Sequence, residues 1–165
     1  MDWEAELTTI LPALRRYALF LTRSTADADD LVNDCIVRIL GSRSSFDQGR
    51  AVLPWALRIL RNIFVDAKRK SSAQSNLPVD EIAEVSDPTS ERRAFERVEV
   101  RETLAAIDQL AQPFRDVLVL VSIEGLSYAE ASACLEVPIG TVMSRLARAR
   151  KQVVAMLDQS PRKIN

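Results

Sequence analysis

Residues 125–151 carry the strongest constraint on the fold, a helical repeat of apolar side chains that is interrupted once. Beyond a break at residues 137–140, apolar residues recur at i, i+4, i+7 and i+11, the spacing of a single helix face. These residues are Val142, Leu146, Ala149 and Val153. The pattern predicts a short helix over 127–135, a tight turn, and a second helix from Thr141 onward.

The second of these helices is predicted to carry cations on the side away from its apolar stripe. Ser144, Arg145, Arg148 and Lys151 fall mainly on that side, and Arg150 sits at its edge. A helix-turn-helix that enters a major groove has this layout, two helices joined by a short turn with the DNA contacts on the second. Taken alone, the segment is also compatible with a surface helix pair whose arginines are only solvated.

The charges of the chain are segregated, although 22 basic and 23 acidic side chains nearly cancel. Residues 41–70 hold 7 basic and 2 acidic side chains, and residues 140–165 hold 6 and 1. Between them, residues 71–139 hold 5 basic and 13 acidic side chains. Two basic blocks on either side of an acidic middle predict two contacts with a polyanion. The pI near 5.6 does not exclude nucleic acid, because the local field steers binding.

Composition argues against several other classes of protein. No apolar run reaches the roughly 20 residues that span a bilayer, and the start MDWEAELTT lacks a secretory layout. We therefore expect a cytoplasmic protein without membrane insertion. The chain has no histidine, and Cys35 and Cys134 lie 99 positions apart, so we expect two reduced, buried thiols and no metal site. With no nucleophile–base pair or phosphate loop evident, neither an enzyme nor a cofactor is expected.

The whole chain is predicted to be all-α, with two small helical domains. Only four glycines occur, and no segment shows sustained period-two alternation. Residues 71–92 are rich in serine, proline and acidic residues, which predicts a flexible linker. The predicted domains are therefore residues 1–70 and residues 93–165.

Three helices are predicted in the first domain. The first covers residues 3–21, Thr25 caps a second over residues 26–40, and Pro54 opens a third that ends near Arg69. The core stripe of the first helix is expected to comprise Leu7, Leu11, Leu14, Ala18 and Leu21.

Two segments of the chain together resemble one family. The pattern E-G-x-S-Y-x-E from Glu124, followed by P-x-G-T-V-x-S-R-L-x-R-A-R from Pro138, is similar to the promoter-binding domain of extracytoplasmic-function (ECF) sigma factors. The pattern A-D-D-L-V-x-D from Ala28, followed by W-x-x-x-I-x-R-N-x-x-x-D from Trp55, resembles the amino-terminal domain of the same family. Glu136 departs from the family pattern by occupying a usual glycine position.

The resemblance implies three binding surfaces. Core RNA polymerase would be bound by the exposed face of the second helix, at Asp29, Asp30, Asn33, Asp34 and Val37. The minus-ten element, with one base extruded into the 44–48 loop, would be bound at Phe46, Trp55, Arg58, Asn62 and Arg69. The minus-thirty-five element would be bound at Thr141, Ser144, Arg145, Arg148, Arg150 and Lys151, the last two on phosphates. For Trp55, packing against the loop is as good an interpretation as stacking on a base.

The implied function is that of an alternative sigma factor, which binds core RNA polymerase and directs initiation at specific promoters. The resemblance also implies an anti-sigma factor as partner and a role in a stress or environmental response. Two alternatives differ in class: a sigma-like decoy that sequesters an anti-sigma factor, and a stand-alone helix-turn-helix regulator. The second leaves the first 70 residues without a role.

Overall fold

The computed structural model describes residues 1–74 and 94–159. Every regular element within these two ranges is a helix, which confirms the all-α prediction. The helices form two compact groups. The predicted flexible linker lies outside the described residues, except for residues 71–74, which are the helical end of the third helix. Among the described residues, no helix has the length and apolar character that a membrane crossing requires.

The first group contains three helices that pack against one another. They are α1 (Trp3–Thr22), α2 (Thr25–Ser42) and α3 (Val52–Gln74), and a 3₁₀ turn (Arg43–Ser45) follows α2. The largest fully buried side chains of the group come from all three helices and include Leu14, Tyr17, Ile39, Leu57 and Leu60. This shared interior fixes the exposed faces of α2 and α3.

The predicted core stripe of α1 is wrong at Leu11, which is 40% exposed. The predicted Leu14, Ala18 and Leu21 are buried, and the buried face is wider than one stripe because α1 packs against both α2 and α3. Its buried residues are Ile10, Ala13, Leu14, Tyr17, Ala18 and Leu21.

The helix ends in the first group differ slightly from the predicted ones. The N-cap of α2 is Ser24, whose side chain accepts a hydrogen bond from the Asp27 N–H at 3.3 Å, whereas Thr25 is already helical. Helix α3 begins at Val52, so Pro54 lies within its first turn, where a missing N–H costs no helical hydrogen bond. Its end at Gln74 lies five residues beyond the predicted one.

The second group is built around one long helix. Its elements are α4 (Ala94–Asp108), α5 (Gln112–Leu118) with a π-helical turn (Val119–Ile123), α6 (Tyr128–Leu135) and α7 (Ile139–Gln159). Helices α4 and α5 both pack against α7. The predicted stripe of α7 is confirmed, since Val142, Leu146, Ala149 and Val153 are all buried.

Helix α7 begins at Ile139, two residues before the predicted start. The N–H groups of Thr141 and Val142 both donate to the Pro138 carbonyl, at 2.9 and 3.1 Å. The turn between α6 and α7 therefore comprises only residues 136–138, and Gly140 belongs to the first turn of α7.

Candidate nucleic-acid interface

The first helix of the helix-turn-helix begins with a reciprocal cap. The Ser127 N–H donates to Glu130 Oε2 at 2.8 Å, and the Glu130 N–H donates to Ser127 Oγ at 3.2 Å. This is a capping box, which satisfies two backbone donors that a helix start otherwise leaves unpaired. It fixes where α6 begins, and so where the turn and α7 follow.

Glu136 ends α6 in the left-handed region, at φ 57°. The chain therefore reverses here at a residue other than glycine, which is the usual residue at this position of the family pattern. The Ser132 hydroxyl donates to the Val137 carbonyl at 2.5 Å, so a side chain of α6 holds the turn directly. These contacts define the angle at which α7 leaves the turn.

The exposed face of α7 carries most of the predicted contacts with the minus-thirty-five element. Ser144, Arg148 and Lys151 are exposed, and Thr141 and Arg145 are half-buried. Arg150 lies nearer the edge, where its Nη2 is 3.5 Å from Ser122 Oγ. Since the buried stripe fills the opposite side, these polar and cationic side chains lie on the free side of α7, where Met143 and Val154 are exposed as well.

Helix α3 presents the predicted minus-ten residues along its outer side. Arg58 and Arg69 are exposed, and Asn62 is half-buried. Leu57, Leu60 and Phe64 lie on the inner side of the helix and are buried. Guanidinium groups suit phosphates, and the carboxamide of Asn62 suits a base edge.

Phe46 and Trp55 belong to an aromatic cluster that also includes Trp3. The Phe46 ring centroid lies 4.7 Å from that of Trp55 and 5.5 Å from that of Trp3, and the two tryptophans are 5.9 Å apart. Phe46 is buried, whereas Trp3 and Trp55 are half-buried. The ring of Phe46 is therefore turned into the domain.

Trp3 is a contributor to this region that sequence reasoning missed. It lies 43 and 52 positions from its two aromatic neighbours, and nothing in the local pattern of α1 links it to them. The only available signal was composition, because the chain has just two tryptophans and Trp55 already belonged to the predicted site.

The loop between α2 and α3 is ordered by its own hydrogen bonds. Asp47 Oδ1 accepts from the Gly49 N–H at 3.0 Å, and the Arg50 N–H donates to the Asp47 carbonyl at 3.0 Å, which closes a turn. The Ser45 hydroxyl donates to the Ser42 carbonyl at 2.7 Å. Apart from Phe46, the side chains from Arg43 to Arg50 are exposed.

The outer face of α2 is mostly polar, and Val37 is its most exposed large apolar side chain. Asp30, Asn33 and Asp34 are exposed, and Val37 is 72% exposed. Asp29 stands apart from them, because its Oδ1 pairs with Arg15 Nε of α1 at 3.1 Å. This face therefore presents an exposed valine among acidic and amide groups.

Both cysteines are buried thiols that form no disulfide, as the sequence predicted. Burial raises the pKa of Cys35 to about 12, and the nearby charge of Arg38 opposes part of that rise. No group of three or more histidine, cysteine, aspartate or glutamate side chains in the described ranges has the arrangement of a metal site.

Comparison with protein families matches both groups of helices. The model described as sigma-70 region 2 matches residues 7–74, and the model described as sigma-70, region 4 matches residues 101–153. The order and spacing of the two matches define a protein of the sigma-70 class.

Several characterised proteins are similar over most of the chain. The ECF RNA polymerase sigma factor EcfG of Rhodopseudomonas palustris is 33% identical over 152 residues, which cover 92% of this chain and 83% of EcfG. The ECF sigma factor SigM of Mycobacterium tuberculosis is 31% identical over 144 residues, which cover 87% of this chain and 71% of SigM. The chain belongs to the ECF family of RNA polymerase sigma factors, and it is an initiation factor that binds core RNA polymerase and promoter DNA.

A solved structure has the same fold over nearly its whole length. Sigma factor RpoE, in its co-crystal structure with the anti-sigma factor NepR from Bartonella quintana, superposes with a TM-score of 0.82 at 28% identity. The match covers 96% of this chain and 98% of RpoE. CnrH, in complex with the cytosolic domain of CnrY, superposes with a TM-score of 0.65 at 27% identity and covers 93% and 86% of the two chains.

Proposed function

We propose that three separate faces of this sigma factor divide the work of initiation in the bacterial cytoplasm. Helix α7 reads the minus-thirty-five element, α3 and the loop before it capture the minus-ten element, and α2 holds core RNA polymerase. The observation that carries this assignment is the separation of α7 into a fully buried apolar stripe and an opposite face with Arg145, Arg148 and Lys151.

At the minus-thirty-five element, direct base contacts come from the side chains nearest the start of α7. Thr141, Ser144, Arg145 and Arg148 lie along the part of a recognition helix that meets base edges. Arg150 and Lys151 lie two and three residues beyond Arg148 and bind phosphates, which position the helix without reading sequence.

At the minus-ten element, Arg58 and Arg69 bind the backbone of the displaced strand and Asn62 contacts a base edge. An extruded base enters the loop at residues 44–48, and the unstacking cost of a few kcal/mol is offset by contacts inside the pocket. Because Phe46 is buried and touches Trp55, we assign Phe46 to shaping this pocket from beneath and Trp55 to its wall.

The polymerase contact consists of Val37 at its centre and Asp30, Asn33 and Asp34 around it. Complementary charge on the polymerase would speed association, and burial of Val37 would lengthen the lifetime of the complex. Asp29 contributes by holding α2 against α1 through Arg15, which keeps the face in position.

We also propose that an anti-sigma factor controls this chain, as part of a stress or environmental response. Two similar solved structures, RpoE with NepR and CnrH with CnrY, are complexes in which the sigma factor is bound by a protein partner. For this chain, an anti-sigma factor would act by competing with the polymerase for the sigma factor.

Single substitutions test this division, because each face has its own readout in the holoenzyme. Val37→Asp should weaken core polymerase binding, Asn62→Ala should slow strand opening, and Arg145→Ala should weaken binding to duplex promoter DNA. Thr8→Ala, an exposed change on α1, is the matched control. If all three variants lost the same readout to the same extent, the division into separate faces would be wrong.

A further inference from the structure

We propose that Trp3 is a positioning residue for strand capture, which holds the loop at residues 43–50 in the geometry that accepts the extruded base. This inference rests on the proposed minus-ten role of that loop. It assigns a role in strand capture to Trp3 of α1, a residue that precedes the family match beginning at residue 7.

The position of Trp3 is itself fixed by the start of α1. Asp2 is the N-cap, and its Oδ1 accepts from the N–H groups of Glu4 and Ala5 at 3.1 and 3.3 Å. The Glu6 N–H also donates to the Asp2 carbonyl at 3.1 Å. Because the cap orders the first helical residue, the indole of Trp3 is presented from a rigid support rather than from a loose terminus.

Phe46 anchors the loop to the rest of the domain. It is the one buried side chain from Arg43 to Arg50, and the hydrogen bonds of Ser45 and Asp47 stay within the loop or reach only the end of α2. The loop is therefore internally ordered, and its placement relative to α3 depends on where the Phe46 ring sits.

The rings of Trp3 and Trp55 both contact the Phe46 ring. The Trp3 and Phe46 rings meet edge to face, with centroids 5.5 Å apart and planes at 76°. The Trp55 ring, from the helix proposed to bind the minus-ten strand, contacts Phe46 at 4.7 Å and Trp3 at 5.9 Å. Edge-to-face and tilted contacts fix ring orientation as well as burying area. Without Trp3, one side of Phe46 loses its partner, and the loop gains alternative positions.

Loss of the contact between Trp3 and Phe46 should weaken capture of the minus-ten strand. It should leave the polymerase-binding face of α2 and the DNA-binding face of α7 intact. The rings lie in the first group of helices, and the exposed residues of α2 that face the polymerase are not members of the cluster. The recognition helix α7 belongs to the second group. A defect confined to the minus-ten strand is therefore the signature of positioning, whereas a general loss of folding would affect every readout.

The test uses holoenzyme assembled with Trp3→Ala, Trp3→Phe or the control Thr9→Ala, an exposed change on the same helix. The probe is a fluorescent single-stranded oligonucleotide with the minus-ten non-template sequence of a promoter on which the wild-type holoenzyme initiates. We expect Trp3→Ala to weaken its binding about tenfold and to reduce discrimination against a substituted minus-ten base. Trp3→Phe should restore binding to within about threefold of wild type, since a ring remains against Phe46.

Two further affinities distinguish a positioning role of Trp3 from a general loss of folding. We expect the affinity for core polymerase and for duplex minus-thirty-five DNA to match that of Thr9→Ala in both Trp3 variants. Wild-type affinity and discrimination in Trp3→Ala would overturn the positioning role, and so would an equal loss of all three affinities or an unfolded chain. If the wild-type holoenzyme itself failed to discriminate minus-ten bases, the proposed function of the loop would fall, and the role of Trp3 would fall with it.

Discussion

Ser127 and Glu130 exchange hydrogen bonds across the first turn of α6, each side chain accepting from the backbone N–H of the other, at 3.2 and 2.8 Å. The two residues are part of the E-G-x-S-Y-x-E pattern through which the chain resembles its family. These two positions of the pattern therefore have a structural explanation, because the cap that they form sets the start of α6, the helix before α7.

Removal of this cap should destabilise the fold measurably. We expect Ser127→Ala to lower the free energy of unfolding by about 1 kcal/mol, since the Glu130 N–H loses its acceptor. Urea denaturation of the full chain measures the change. Ser127→Asp, which keeps an acceptor at the N-cap, should stay within a few tenths of a kcal/mol of wild type. Equal losses in both variants would show that the side-chain oxygen is not what stabilises α6.

Glu136 offers a test of backbone strain. At φ 57°, a residue with a Cβ is disfavoured by about 1–2 kcal/mol relative to glycine. We therefore expect Glu136→Gly to have a free energy of unfolding about 1 kcal/mol above that of Glu136→Ala. Both variants lack the glutamate side chain, so their difference reports the conformation alone. A more stable alanine variant would contradict the left-handed turn.

Arg148 tests base recognition by α7. If it binds a guanine, Arg148→Ala should weaken promoter binding by about 1–3 kcal/mol and relax the sequence preference at one position of the minus-thirty-five element. A gel-shift titration of reconstituted holoenzyme against promoter variants measures both effects. Arg101→Ala removes the same charge from an exposed position on α4 and should leave affinity unchanged.

Lys151 should behave differently from Arg148 in the same titrations. A phosphate contact carries no base information, so Lys151→Ala should weaken every promoter variant alike and reduce the salt dependence of binding. If Arg148→Ala showed that uniform pattern instead, its assignment to a base would be replaced by one to a phosphate.

Cys35 should be unreactive in the folded chain. The thiolate is the reactive form, and burial keeps the thiol protonated because its pKa is raised from 9.0 to about 12. In a Cys134→Ala background, alkylation at pH 8 should therefore be far slower than in urea. Because the pKa is higher in the folded than in the unfolded chain, the protonated thiol contributes fully to stability below pH 9, and this contribution is lost as pH rises toward 12. Native labelling as fast as that of the unfolded chain would contradict the buried site.

Much of the fold could be predicted because the relevant signals are local. The stripe from Val142 to Val153 repeats at the period of one helix, and burial of all four members follows from that period. For α1, the same reasoning selected Leu11 wrongly, because a helix that contacts two neighbours buries a wider face than one stripe. Local periodicity does not reveal how many partners a helix has.

Less of the site could be predicted from sequence, because contacts between distant parts of the chain determine where several of its side chains lie. Phe46 and Trp55 were predicted as part of the minus-ten surface, but only the packing reveals that Phe46 points inward. Trp3 joins them from more than 40 positions away, and no periodic pattern encodes that contact. The pairing of Asp29 with Arg15 is likewise a contact between helices, which the sequence of α2 alone does not specify.

Run-off transcription with core RNA polymerase on a randomised promoter library tests the assignment of this chain most directly. We expect transcripts that depend on both the polymerase and this protein, from templates that share a minus-thirty-five and a minus-ten element at fixed spacing. Val37→Asp should reduce the yield on all of these templates, whereas Thr8→Ala should not. Binding to promoter DNA without polymerase-dependent initiation would contradict the assignment and would favour a stand-alone regulator, and the absence of both would favour a decoy.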